Sequence, residues 1–402
     1  MPGTTAPDGF QASLATVLRE WGRIGCIGFG GPPAHIALLR KLCVERRGWL
    51  DASEFEDAIA VCNLMPGPAS TQLAIFCAWR VRGRLGALAG GIAFIVPGLI
   101  VILALSVLFL ASTPPAWVRG AGAGAGAAVA AVAVQAAWSL SGPSWERARP
   151  RRVRWIIYLL AGGAAAATIG PWLVLVLLGC GLIELSVRHR QQVAGPRTFL
   201  MIPLLTARAG RNAGPTRLLA AAAGTGVVLP VAWTALKVGA LSFGGGFVII
   251  PLMQADAVGH HWMTTAQFLN GVALGQVTPG PVVQTVATVG YAAAGIGGGL
   301  LAAIIAFSPS FVFVLVGARH FGAMRGNGPA QAFLDGAGPA AIGAILGAAI
   351  TLARGLSQPW QYAVLAGAAV ALLGLRRGVV FTLLLAAATG AAIALAGGPL
   401  PH

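Results

Sequence analysis

A chain of 402 residues would fill two or three water-soluble domains at about 150 residues each, yet 57% of it is hydrophobic and only 9% is charged, against about 25% charged in soluble globular domains. So few charges cannot coat a water-facing surface of this size, which excludes an ordinary soluble enzyme, a disordered chain and a collagen-like one, and leaves a polytopic membrane protein. The net charge of +16 sits between apolar segments rather than along one amphipathic face, which fits the positive-inside pattern of cytoplasmic loops and not a nucleic-acid footprint.

Met1 to Leu14 has no basic stretch followed by an apolar run, so no cleavable signal peptide is expected and the inner, plasma membrane is the expected destination. Residues 11–80 hold apolar stretches broken by Gly and Pro, none long enough for an ordinary span. Four clear segments follow at 85–113, 116–141, 153–168 and 172–187, each near or above the roughly 17–25 residues that cross the hydrocarbon core as a helix. The last two meet at Gly170-Pro171 as a tight helical hairpin, and the Gly/Ala row from Gly120 to Gly126 suits close helix approach. Residues 188–217, with six arginines and three prolines, read as a cytoplasmic linker. Residues 218–294 return to the broken pattern, and segments at 297–318, 331–352, 360–375 and 378–397 close the chain. Cys26, Cys43, Cys62, Cys77 and Cys180 lie in apolar stretches without CxxC or metal-ligand spacing, so neither a disulfide framework nor a metal site is expected.

Self-comparison is the most informative operation. Gly28-Phe29-Gly30-Gly31 returns as Ser242-Phe243-Gly244-Gly245 at an offset of 214; Trp49, Phe55 and Pro66-Gly67-Pro68 return as Trp262, Phe268 and Pro279-Gly280-Pro281 at 213. Ala93-Phe94 followed by Pro97 matches Ala306-Phe307 followed by Pro309. A duplication follows, with a first repeat over 1–187, the linker, and a second repeat over 218–402. Loop charges then orient the halves. Arg40, Lys41, Arg46 and Arg47 face an uncharged-to-acidic counterpart around Asp256 to Trp262; Arg80, Arg82 and Arg84 face Ala292 to Ile296, which has no charge. Arg147, Arg149, Arg151, Arg152 and Arg154 face Arg354 alone, and Gly170-Pro171 faces Arg376 and Arg377. Basic loops in one half are poor in charge in the other, so the halves are expected to have opposite orientation. The expected fold is an all-α polytopic membrane protein of two inverted-topology repeats with broken or re-entrant helices at the midplane, the layout of secondary transporters whose site lies at such breaks.

The breaks supply the candidate site. Phe29-Gly30-Gly31-Pro32-Pro33 and Phe243-Gly244-Gly245-Gly246 interrupt one pair of helices, and Pro66-Gly67-Pro68 and Pro279-Gly280-Pro281 the next. Pro is favoured at the first helical position, so Pro68 and Pro281 are expected to open half-helices whose N-termini offer free N–H groups and a positive dipole end to an anion. Ser70, Thr71 and Gln72, and Gln284 and Thr285, fall in those first turns as further donors, while Asn63 and Gln276 precede the breaks at matching positions. A single Pro-Gly-Pro is as readily a packing kink; paired breaks at matched positions, each followed by hydroxyl or amide groups, favour binding. Arg23 and Lys237 align six residues before the glycine-rich breaks, where they supply positive potential or snorkel to an interface, Arg23 with Glu20 one turn away as its partner. Arg119 and Asp335 also align, and Asp335 can pair with a cation or carry a proton; Glu20, Asp57 and Glu184 are further proton-site candidates, more at home at an interface. His35 reads as a satisfied structural histidine rather than a ligand. No GxSxG, HExxH or P-loop is present, so neither an enzyme nor an ATP-driven pump is expected.

The FGG-P break after an amphipathic helix, the N-x-x-PGP segment from Asn63 to Pro68 and their second-half echoes resemble the chromate ion transporter family in its long, two-domain form, over essentially the whole chain. The resemblance implies export of chromate from the cytoplasm, sulfate as a structural analogue, and an ion gradient as the energy source. The second copy departs from the pattern, with Gly246-Phe247 in place of Pro32-Pro33 and Gln276 in place of Asn63. A tetrahedral dianion offers acceptor oxygens only, so it needs converging donors and positive potential, which two opposed half-helix N-termini provide. Alternatives are a permease or passive channel for sulfate or another small anion and, remotely, an intramembrane hydrolase. The expected partners are the oxyanion, the lipid bilayer and, as one option, a second copy in a homodimer; no cofactor and no nucleic acid are expected.

Overall fold

The structure, a computed structural model, describes residues 12–65, 67–111, 113–168, 173–193, 226–242, 249–318 and 328–401. Pro66, the turn at Gly170-Pro171, most of the Arg-rich linker and Gly244, Gly245 and Gly246 lie outside the described residues. All described secondary structure is helical.

Among the described residues, seven α-helices begin before residue 188 and seven after residue 217. The first set is α1 (Leu14–Ile27), α2 (Pro32–Arg40, continued by a π-helical turn Lys41–Arg46), α3 (Ala52–Leu64), α4 (Ala69–Phe109), α5 (Ala116–Arg147), α6 (Arg152–Thr168) and α7 (Leu173–Val193). The second set is α8 (Val228–Leu241), α9 (Ile249–Gly259), α10 (Thr265–Val277), α11 (Thr285–Gly317), α12 (Gly328–Arg354), α13 (Pro359–Ala369, continued by a π-helical turn Val370–Gly374) and α14 (Val379–Leu395). Local chemistry fixes the starts: the Ser13 hydroxyl accepts the Thr16 N–H ahead of α1, and Thr264 and Gln267 form a reciprocal capping box ahead of α10. The eight apolar segments expected from hydropathy fall on the second part of α4, on α5 to α7, on the second part of α11 and on α12 to α14. Helix α7 runs beyond residue 187, because Arg188 pairs with Glu184 one turn back.

Helices α4 and α11 are each folded in two. Arg82 (φ −146°, ψ 26°) and Gly83 (φ 60°, ψ −152°) break α4, and Ala294 (φ −150°, ψ 32°) and Gly295 (φ 63°, ψ −158°) break α11 in the same way. Past the break the chain doubles back. Gly90 lies against Ala78 and Gly91 against Ile75, residues that would be about 18 and 24 Å away along a straight helix. Gly290 likewise meets Ala302, and Gly299 meets Ala287. We call the arms α4a (residues 69–81) and α4b (84–109), and α11a (285–293) and α11b (296–317). Helix α10 is also antiparallel to α11a, with Gly271 opposite Thr288 and Gly275 opposite Thr285, so Pro279-Gly280-Pro281 is the tip of a re-entrant helical hairpin.

The halves are intertwined. Helix α5 of the first packs on α13 and α14 of the second, and α12 of the second packs on α6 and α7 of the first. Glycines make these contacts backbone to backbone: Gly120 and Gly124 against Gly390 and Ala386, Gly343 against Leu159, and Gly336 against Cys180. Corresponding packing recurs nearer the breaks, where α1 meets α4b at Gly25 below the Phe94 carbonyl and α8 meets α11b at Gly239 below the Ala306 carbonyl. Large apolar side chains such as Ile100, Leu229, Ile304 and Leu385 remain exposed on the outside, as a lipid-facing surface requires.

A side chain at Gly343 would collide with the Leu159 carbonyl, whereas Gly142 has open space beside it. Gly343→Val should therefore lower stability by about 1–3 kcal/mol or prevent accumulation, and Gly142→Val should do neither; thermal unfolding of the detergent-solubilised protein reads the difference.

Candidate functional site

The site is built where the breaks meet the doubled-back arms. Gly67 (φ 115°) and Gly280 (φ 99°) sit at matched places in the two Pro-Gly-Pro segments, in a left-handed backbone that only glycine adopts readily. The residues on either side match too: Met65 and Thr278 have φ/ψ of −83°/145° and −82°/146°. Pro68 and Pro281 stand at N-cap positions with extended backbone, one residue earlier than the first helical position expected from sequence. The correction has a plain cause. As a cap, the Pro68 carbonyl accepts the N–H groups of Thr71 (2.9 Å) and Gln72 (3.0 Å), which leaves the amides of Ala69 and Ser70 without an acceptor inside the helix. Pro281 opens a 3₁₀ turn, Val282–Gln284, before α11.

Gly67 of the first Pro-Gly-Pro and Pro279 of the second each lie against the long arm of the other half. The Pro279 carbonyl lies against Gly98 of α4b, and the Gln284 amide donates to the Ile95 carbonyl (2.8 Å). In return Gly67 faces Ser310 of α11b and the Gly239 carbonyl of α8. The Gly280 N–H donates to the Gly28 carbonyl at the first glycine-rich break (3.0 Å), and Gly31 approaches Val282. Three of the four predicted breaks thus converge at one level; the fourth lies outside the described residues.

The polar side chains at this level are buried. Ser70, Thr71, Gln72, Gln284, Thr285, Thr288, Ser106 and Ser310 are all at most 2% exposed. The hydroxyls of Thr71 and Ser310 have no hydrogen-bond partner, an arrangement that costs about 1–3 kcal/mol each in a sealed interior. Thr285 donates to the Val282 carbonyl (2.7 Å); Ser106 donates to the Ile102 carbonyl (2.7 Å), and its oxygen meets the Thr288 hydroxyl across the halves (3.0 Å). Gln276 is buried with its amide nitrogen unpartnered, while Asn63, its sequence counterpart, is exposed. Gly30 is exposed and Gly31 half-buried, both with positive φ (97° and 73°). Sequence reasoning missed Ser106, Thr288 and Ser310; isolated hydroxyl residues within long apolar runs were the available signal.

The charged candidates lie elsewhere or are already paired. Arg23 and Arg119 are exposed. Glu20 is bonded to Arg47 (2.7 Å) rather than to Arg23, because the π turn after α2 carries Arg47 back onto α1. Lys237 pairs with Asp256 of α9 (2.6 Å), which also accepts the Thr234 hydroxyl (2.7 Å). Buried Glu184 receives Arg151 (2.9 Å), Arg154 (2.9 Å), Arg188 (3.1 Å) and the Tyr158 hydroxyl (3.2 Å), and Asp335 is held by Arg151 and Arg188. Asp57 is half-buried on α3. The convergence of breaks is consequently built, among the described residues, from uncharged donors.

A family model described as "Chromate transporter" matches residues 15–185 and 217–392, one stretch in each half. The chain is 32% identical over 389 residues to the "Chromate transport protein" of Cupriavidus metallidurans, covering 92% of each sequence. It is 32% identical over 334 residues to the protein of that name from Pseudomonas aeruginosa, covering 83% of this chain and 79% of the relative. It is 30% identical to the "Probable chromate transport protein" of Synechococcus elongatus over 85% of each chain. No solved structure matches it.

Removing one member of the Lys237–Asp256 pair leaves a partly buried charge alone, a loss of up to about 3 kcal/mol, the lower end for a fully buried pair. Lys237→Met should destabilise the protein by that order, and Lys237→Met with Asp256→Asn should recover most of it in thermal unfolding. Recovery of fold without recovery of anion binding would move Lys237 from a structural to a ligand-attracting role.

Proposed function

Because the chain belongs to the chromate transporter family, in which multi-pass membrane proteins carry out transport, we propose that it exports chromate from the cytoplasm as a secondary transporter driven by an ion gradient, with the dianion held where the helix breaks converge. The observation that carries this reading is the pair of Pro-Gly-Pro segments packed against opposite long arms, with the unpartnered Thr71 and Ser310 hydroxyls sealed beside them. A tetrahedral oxyanion offers acceptors alone. The Ala69 and Ser70 amides at the start of α4, at the positive end of that helix, are donors alone, and these hydroxyls can turn their O–H toward the anion. Hydrogen bonds to a charged acceptor contribute about 1.5–3 kcal/mol each, so a handful of them offsets much of the anion's lost hydration. The cradle recognises tetrahedral shape and charge, which makes sulfate a natural competitor.

The two halves run in opposite directions through the bilayer in this proposal. Matched backbone breaks at Gly83 and Gly295, reciprocal packing of α5 and α12 on the opposite half, and the alternation of basic and uncharged loops support it. Such a pair of halves can rock about the shared breaks and expose the site to each side in turn.

Two outcomes are expected. In proteoliposomes, Thr71→Val should weaken chromate affinity about tenfold, the loss of one charge-assisted hydrogen bond, while Thr285→Val should change it less, because the Thr285 hydroxyl is already engaged with Val282; equal and negligible effects would place the anion elsewhere. In a Cys26→Ala background, Arg84→Cys and Ile296→Cys, both exposed beside the matched breaks, should react with an impermeant thiol reagent from opposite faces of the membrane. Labelling of both from one face would refute the inverted arrangement.

A further inference from the structure

The Gly28 carbonyl accepts two hydrogen bonds, one from the Gly280 N–H (3.0 Å) and one from His35 Nε2 (2.9 Å). A carbonyl only accepts, so Nε2 carries a proton, and the Nδ1 of the neutral ring is an acceptor. It faces the Ser70 hydroxyl at 3.2 Å, which therefore donates to it. The ring is wholly buried, edge-on to Phe94 with centroids 5.0 Å apart. One imidazole thus ties the first glycine-rich break to the first turn of α4 and, through the shared carbonyl, to the second Pro-Gly-Pro. The halves differ here. Offsets of 213 and 214 place Val248 or Ile249 opposite His35, so the second half has no titratable group at this place.

The charges on the surrounding elements are turned away or spent. On α1, Arg19 and Arg23 are exposed and Glu20 is bonded to Arg47. On α2, Arg40 holds Glu56 of α3, and Lys41, Glu45 and Arg46 of the following turn are exposed. On α4, Arg80 holds Glu54, while Arg82 and Arg84 flank the far end of the arm; the 3₁₀ turn before α11 carries no charge. A dianion entering this cation-free region pays a desolvation cost of several kcal/mol that neutral donors only partly offset.

We infer that His35 is the group through which a proton accompanies the anion, an inference that rests on the oxyanion site proposed above. A proton adds to the Nδ1 lone pair and no bond is broken. Nδ1–H then donates to the Ser70 oxygen, and the Ser70 hydrogen, until then committed to the ring, rotates toward an oxyanion at the start of α4. The protonated ring supplies the missing positive charge and one further donor together. Each cycle carries one proton with one dianion, so one net negative charge moves outward and an inside-negative potential still drives exit.

The test is chromate flux in proteoliposomes containing a pH-sensitive dye, comparing wild type with His35→Gln, whose amide retains a donor for the Gly28 carbonyl but does not titrate. Chromate takes up a proton of its own near neutrality, so the comparison between proteins exposed to the same anion isolates the protein's proton. Wild type should move about one more proton per chromate than His35→Gln, which should still move chromate, with affinity lowered about tenfold and less dependent on pH. Ser70→Ala, which leaves the titrating ring in place, should weaken affinity chiefly at low pH and serves if His35→Gln fails to fold. Equal proton-to-chromate ratios in wild type and His35→Gln, or a Ser70→Ala loss that is the same at all pH values, would overturn the inference and leave chromate transport standing. Absence of chromate movement by wild type at any pH would overturn the transport reading itself.

Discussion

A helix that stops inside a membrane leaves its end groups with no water to bond, and much of this architecture answers that constraint. The Gly280 N–H is satisfied by a carbonyl from the other half, the Thr71 and Gln72 amides by the Pro68 carbonyl, and the Gln284 side-chain N–H, just past the second break, by the Ile95 carbonyl. The Pro68 bonds stay within one helix turn, and the other two reach across the halves. The breaks are therefore held by one another as much as by their own helices. What is left over, at Ala69, Ser70, Thr71 and Ser310, is a small set of polar groups near the breaks, the neutral part of the proposed anion site, to which a protonated His35 adds the positive charge.

The same economy explains the glycines. Where α5 meets α14 and α12 meets α6, backbones touch without intervening side chains, so dispersion contacts rather than a hydrophobic driving force hold the bundle in a solvent as apolar as its own surface. The doubled-back arms of α4 and α11 depend on glycine in another way, since Gly83 and Gly295 take the backbone through φ near 60° at the turn.

Much of this is legible in sequence, and the exceptions are instructive. The eight apolar spans follow from hydropathy, and the Pro-Gly-Pro and glycine-rich breaks from punctuation that repeats in order. The reversals at Arg82-Gly83 and Ala294-Gly295 are not legible in the same way, because neither contains proline and the helix hydrogen bonds resume immediately; only the matched glycine marks them. The surroundings of the aligned cations are not legible either. Arg23 lies on the outer face of α1, whose Trp21 and Ile24 are buried, and Lys237 meets an acid from α9, a partner that only tertiary packing supplies. His35 is buried with both ring nitrogens bonded, to Gly28 and Ser70, and which three segments it joins depends on contacts between residues far apart in the chain.

The exchange of α5 and α12 between halves bears on how such a chain is made. When the helices before the linker have left the ribosome, the glycine face of α5 still lacks α13 and α14, which belong to the second half. That face must wait in lipid, or against the insertion machinery, until those two helices have been made. Biogenesis is thus committed to a late, concerted closure in which neither half is finished before the other.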